Sequence, residues 1–233
     1  RVLFRSPGIA LDGSDVYLCW QRFVDRHDSL MASCRRGDEV VWEREISDGG
    51  EVLHPVILAH GGAIWYAWSE YARENWRILA RCYRDGRWGE VLTVASGEAL
   101  FFPRLFTWQG RLHVIWTEQH KGSAAAVLCP LTEAGPGAAE TVSVVGEAYR
   151  AGAAEGGDGN LYVAYDGFDG KQYKLFARAR TAAGWSEEIV VSQGEDWAST
   201  PWIAAKPDGA VVGWYDYGYM AVYSVRSEER RVG

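Results

Sequence analysis

The feature that most constrains this chain is a repeat of about 48 residues. Pro7, Pro55 and Pro103 stand 48 apart, Ala151 follows 48 later, and Pro201 comes 50 after that. A large aromatic lies 13 residues beyond four of these positions, giving Trp20, Trp68, Trp116 and Trp214; in the fourth copy Tyr165 takes the place, displaced by one. The strings that carry them are "DVYLCW", "AIWYAW", "RLHVIW", "NLYVAY" and "AVVGW", each behind a turn signal such as "LDGS", "AHGG" or "KPDG". The second half of the unit recurs as well: "RILARCYRDGRWGEVLTVASGE" (77–98) pairs with "KLFARARTAAGWSEEIVVSQGE" (174–195). Self-similarity at a fixed period means that one supersecondary unit is copied, and each copy must bury its apolar face against the next.

Each unit holds four strand-like runs joined by Gly and Asp turns, and none of the segments has helical periodicity. The run "AIWYAW" is nearly continuous rather than alternating, which predicts a sheet covered on both faces. Four antiparallel strands per unit, both faces covered and a period near 48 predict an all-β fold, a β-propeller of four-stranded antiparallel blades. The blades are expected near 7–54, 55–102, 103–150 and 151–200, with a partial fifth over 201–225. The tryptophan column is expected to fill the space between blades, and Trp88 and Trp185 to cover the outer edge. The end strings "RVLFRS" (1–6) and "RSEERRVG" (226–233) match translated sequencing adapters, so we expect them to be non-native and the chain to be truncated.

Composition removes several classes of partner. A net charge of −7 argues against nucleic acid, which rewards clustered Lys and Arg. No apolar stretch approaches the roughly 18 residues of a membrane span. The four cysteines show no zinc spacing and read as small buried apolar residues, with a disulfide as the other reading. The histidines show no ligand spacing, so no metal and no cofactor is expected.

In a propeller, loops entering the first strand of a unit and loops leaving the second share one face around the central channel. The residues just before the inner strands are His54, Phe102, Arg150 and Thr200, with Phe101, Tyr149 and Trp197 close by. The loops after the second strands place Glu70, Glu118, Asp166 and Asp216 in nearly the same position of four units, and Arg22 breaks the column in the first. The candidate ligand-binding residues are therefore Arg150, Glu70, Glu118, Asp166, Asp216, His54, Phe102, Tyr149 and Trp197. Aromatics beside fixed polar groups suit a glycan or another small polar ligand, because sugar CH faces stack on rings while hydroxyls take directional hydrogen bonds. Short acidic residues after strands also serve turns, so a purely structural role for each carboxylate stands beside the binding role.

The pattern P-x-I-A-x-x-x-G-x-L-x-V-x-W, followed by R-x-x-x-G-x-W-x-x-x-x-V-S, resembles the blades of sialidase-like propellers and of fucose-binding lectins. The resemblance covers nearly all of 7–225 and is a blade-level pattern. It implies an extracellular or periplasmic setting and a carbohydrate ligand. Sialidase chemistry would imply an arginine triad, a tyrosine nucleophile with a glutamate, and an aspartate acid/base; only Arg150 and Arg22 sit where a gripping arginine could be. The nearest match to the Ser-x-Asp-x-Gly-x-x-Trp turn is "YRDGRWGE", which lacks the serine. A binding scaffold is the leading expectation, with a sialidase-like glycoside hydrolase and a protein-interaction platform as the alternatives.

Overall fold

A computed structural model describes residues 3–47, 49–193, 197–216 and 219–225, with side chains over 5–47, 49–193 and 197–215. Residues 226–233 of the expected adapter end lie outside the described residues, as do 1–2. Every described element is a strand. The first sheet is built from β1 (Leu3–Asp12), β2 (Asp15–Val24), β3 (His27–Arg36) and β4 (Glu39–Glu45) in that order. The second orders β5 (Glu51–His60), β6 (Ala63–Ala72), β7 (Asn75–Arg84) and β8 (Arg87–Trp88), with β9 (Leu92–Gly97) also on β7. The third orders β10 (Ala99–Trp108), β11 (Arg111–His120), β12 (Ser123–Thr132) and β13 (Gly135–Pro136), with β14 (Glu140–Thr141) on β12. The fourth orders β15 (Ala148–Glu155), β16 (Leu161–Phe168), β17 (Tyr173–Thr181) and β18 (Gly184–Trp185), with β19 (Ile189–Val190) on β17. The fifth has three strands, β20 (Ala198–Lys206), β21 (Gly209–Asp216) and β22 (Tyr219–Val225).

Strand order thus follows sequence order within every sheet, the blade topology expected from the repeat: four full sheets and a partial fifth. Tight hairpins make this possible. Between β5 and β6, for example, only Gly61 and Gly62 intervene, with φ of 59° and 71°, a two-residue turn whose twist matches that of the strands. Among the described residues, no helix is long and apolar enough to cross a membrane.

The chain divides into two compact units, Arg1–Leu105 with Pro130–Ala138, and Phe106–Cys129 with Ala139–Gly233. In the first unit, β6 is buried at every position from Ala63 to Glu70, so neither face of this strand is wet. Tyr66, Trp68 and Ile64 pack there with Tyr17, Cys19 and Leu30 of the first sheet and with Ile46 just after it. Trp42, Tyr83 and Trp88 close the outer edge with ring centroids 5.0–5.4 Å apart. In the second unit β16 is buried from Leu161 to Gly167. Tyr165 and Val163 pack with Ile115 and Leu128 of the third sheet, while Tyr162 and Ala164 pack with Val212 and Trp214 of the fifth. Trp68 and Trp116 are fully buried and Trp214 nearly so, whereas Trp20 is half-buried. All four cysteines are buried free thiols.

Candidate ligand-binding site

In four of the five sheets the inner strand carries one extra residue at the same place. Leu53 to Val56 runs opposite Ser69 to Ala67, Tyr149 to Gly152 opposite Asp166 to Ala164, and Ser199 to Trp202 opposite Tyr215 to Gly213. The first sheet repeats the slip between Arg5 and Gly8. Two inner-strand residues therefore oppose one large aromatic: His54–Pro55 face Trp68, Arg150–Ala151 face Tyr165, and Thr200–Pro201 face Trp214. A proline fits the second bulge position because a bulged residue drops out of the hydrogen-bond ladder. The first position is left-handed in all five sheets, with φ of 50° at Ser6, 52° at His54, 55° at Phe102, 45° at Arg150 and 56° at Thr200. The bulge takes these side chains out of the strand's in–out alternation.

In the second unit this geometry builds a linked cluster. The Arg150 backbone N–H donates to Thr117 Oγ1 at 3.1 Å, fixing the left-handed turn to β11. Arg150 Nε lies 3.0 Å from both Asp166 carboxylate oxygens, and its Nη2 also donates to Asp166. Asp166, with no exposed surface, also accepts the backbone N–H of Thr200. Burial pushes the Asp166 carboxyl up against the pull of Arg150, while Asp166 holds the arginine firmly charged. Thr117 and Asp166 thus do the same work in successive sheets: each caps the left-handed residue of the next. Beside this network lies an aromatic platform. Trp197, 57% exposed, has its ring 5.4 Å from Tyr173, which in turn lies 6.2 Å from Tyr149. The Tyr149 hydroxyl accepts from Gln119 Nε2 at 3.2 Å.

The first unit carries a comparable rim. Tyr71 and Trp76 are cross-strand partners in the second sheet, as Phe168 and Tyr173 are in the fourth. Trp76 meets Phe101 at 4.7 Å, and His54 lies 4.2 Å from Phe102 and 6.3 Å from Phe101. Burial, with a smaller push from Arg104, lowers the His54 pKa to about 4, so the ring is neutral at pH 7. Its Nδ1 is buried with no hydrogen-bond partner among the described residues. Next to the rim, a polar cleft of about 480 Å3 is walled by His27, Glu51, Tyr71, Arg73 and Arg77, with Glu70 at its floor. Gly50 has no room for a side chain, since a Cβ there would stand 2.4 Å from Glu70 Cγ.

The carboxylate column resolves into two sets. Glu70 is fully buried, lies 2.5 Å from Arg77 and accepts the Trp68 indole N–H at 3.1 Å. Glu118, half-buried, accepts from Trp116 at 3.3 Å in the same two-residue spacing. Trp20, which has Arg22 two residues on, has a buried indole N–H without a partner among the described residues, and Arg22 pairs with Glu45 instead. Asp166 does not share the register of Glu70: it faces Tyr149 as Ser69 faces Leu53, and Gly167 takes the Glu70 position. The cause is the five-residue connection Gly156–Asn160 where the corresponding hairpins of the other four sheets use two, which displaces the aromatic and everything after it. Asp216 pairs through its backbone with Ala198, matching Glu70 and Val52; its side chain lies outside the described residues. Sequence reasoning missed Thr117, Gln119, Tyr173, Trp76 and Arg77. The readable signal was Arg77, a charge inside the apolar run "NWRILA" directly across from Glu70. Among the described residues, no group of three or more His, Cys, Asp or Glu could hold a metal ion.

No family model matches the chain, and no curated protein matches it in sequence. Solved structures share its fold. It is similar to a GH43 endo-arabinanase from Bacillus licheniformis at 13% identity and TM-score 0.53, covering 94% of this chain and 92% of that one. It is also similar to a subtype N10 neuraminidase-like protein of A/little yellow-shouldered bat/Guatemala/060/2010 at 10% identity and TM-score 0.57, covering 97% and 84%. A Mycobacterium tuberculosis puromycin-hydrolyzing peptidase matches at 16% identity and TM-score 0.62, over 98% of this chain but 36% of that one. The fold is a β-propeller. Proteins of such different chemistry share it that function has to be argued from the site.

Proposed function

We propose that this chain is a carbohydrate-directed β-propeller whose second unit receives a saccharide on the Trp197–Tyr173–Tyr149 platform beside the Arg150–Asp166 pair. The observation that carries the reading is the exposed Trp197 ring standing 5.4 Å from Tyr173. An indole more than half exposed and backed by a second ring offers an apolar face to sugar CH groups. Arg150, one-third exposed and locked by Asp166, offers a preorganised polar neighbour. The neighbouring solved structures support the substrate class, several being described as glycoside hydrolases.

That same likeness favours a second reading, glycoside hydrolysis. Such chemistry ordinarily needs two carboxyl groups flanking the bond, one to protonate the leaving oxygen and one to act on the sugar. Glu70 and Asp166 are each engaged by an arginine and fully buried, which supports recognition over bond cleavage at these two carboxylates. Tryptophan-fluorescence titration with neutral and acidic oligosaccharides, arabinan fragments included, tests the proposal. A saturable change is expected with at least one of them, weakened tenfold or more in Trp197→Ala. A flat response across the panel would refute it, and release of reducing ends in parallel reactions would favour the hydrolase.

A further inference from the structure

We propose that the left-handed residue at the inner-strand bulge of four of the five repeats (His54 and Phe102 in the first unit, Arg150 and Thr200 in the second) is the position that sets ligand specificity within its own unit. The inference rests on the carbohydrate reading above and goes beyond it by naming which residues choose the ligand. Three observations carry it.

The first is strain. A non-glycine residue at φ of 45–56° is uncommon, and for β-branched Thr200 it is a genuine outlier. Glycine would adopt this conformation without cost and asparagine nearly so, yet neither occupies any of these four positions. A side chain retained where glycine would relieve the backbone has a use for its atoms. The second is the division of labour within the bulge. In these four copies the next residue, Pro55, Pro103, Ala151 or Pro201, is small or cyclic and buried, whereas the left-handed residue is half-buried and changes from imidazole to phenyl to guanidinium to hydroxyl; in the first copy Ser6 and Pro7 are both exposed. The frame is constant and the chemistry it displays is not. The third is the support beneath two of them. Thr117 and Asp166 each hold the backbone N–H of the left-handed residue in the next sheet, so the backbone of Arg150 and of Thr200 is fixed independently of what its own side chain does. Each side chain can therefore be exchanged without moving its mount.

Thr200 is the position at which strain and recognition separate most cleanly, because Arg150 also neutralises Asp166 and His54 also packs on Phe102. The wild type, Thr200→Gly and Thr200→Ala are compared by thermal melt and on a glycan array of neutral and acidic saccharides. Thr200→Gly is expected to melt about 2–4 °C higher, as relief of a strained φ implies for a chain of this size, while losing at least tenfold in signal on the wild-type glycans or shifting to others. Thr200→Ala keeps the strained φ and is expected to change the glycan profile with no gain in melting temperature. A glycine variant with the wild-type profile would overturn the proposal, leaving the bulge a scaffold whatever its effect on the melt. A wild type that binds no saccharide would instead overturn the carbohydrate reading, and this inference with it.

Discussion

His54 is neutral at physiological pH because the fold withholds water from it, and that makes it a measurable pH liability. In an unfolded chain a histidine titrates near 6.5, whereas here the value is pushed down to about 4. Between those two pH values the unfolded state takes up a proton that the folded state refuses. Stability is therefore full above about pH 6.5 and falls as the pH drops toward 4. Melting temperature is expected to be lower at pH 5 than at pH 7, and His54→Asn, which tolerates the left-handed φ, should flatten that difference. An identical pH slope in both proteins would assign the effect to another group. Asp166 makes the complementary case. Asp166→Asn would leave the Arg150 guanidinium, only one-third exposed, without its countercharge, and a loss on the order of 2–3 kcal/mol is expected in chemical denaturation. Thr117→Val, which removes only an acceptor for the Arg150 N–H, should cost about 1–2 kcal/mol. Equal losses in the two variants would contradict the ion pair's larger share.

At the scale of the strand, β6 explains why the repeat reads so clearly and why its functional signal did not. Eight successive buried positions need apolar side chains on both faces, so the run "AIWYAW" announces a doubly covered strand without any coordinates. Glu70 at its end reads as a channel-face ligand group because a carboxylate after a strand usually meets solvent. Instead it answers the Trp68 indole two residues earlier on the same face and the Arg77 across the ladder. The left-handed bulges were hidden for a different reason. A residue before proline is ordinarily pushed toward extended backbone, so the string X-Pro at the start of an inner strand points away from a positive φ. The Asp166 register was hidden by connection length, since a motif counted along the chain cannot see which residue faces which. Trp68→Ala tests the element directly. It removes the largest fully buried side chain of β6 and leaves Glu70 short of a donor, so a loss of about 3–5 kcal/mol is expected, and under about 1 kcal/mol would refute the buried role. Trp68→Phe keeps most of the volume and isolates the hydrogen bond.

For the whole molecule, the cysteines give a reporter that needs no ligand. The sequence has four of them, and none stands in a metal or redox spacing; in the fold they are interior apolar positions, with Cys19 unexposed and Cys34 at 2%. Burial raises the thiol of Cys19 to about 12 and that of Cys129 to about 11, so thiolate, the reacting species, is scarce at pH 8 for steric and electrostatic reasons alike. Native protein is expected to show none of its four thiols to a disulfide reagent within minutes, and all four once denatured. Cys19 and Cys34 lie in the same core cluster as Trp68, on neighbouring strands of the first sheet. Separate exposure of these two would require the cluster to open piecemeal, which close packing of Tyr17, Leu30 and Tyr66 around them opposes. In a denaturant series the two are expected to become reactive at one midpoint, and Trp68→Ala should move that midpoint downward for both together. Labelling of Cys34 well before Cys19 would mean that the first sheet frays from its outer strands while the shared core persists, and the cooperative unit would then be smaller than the paired sheets.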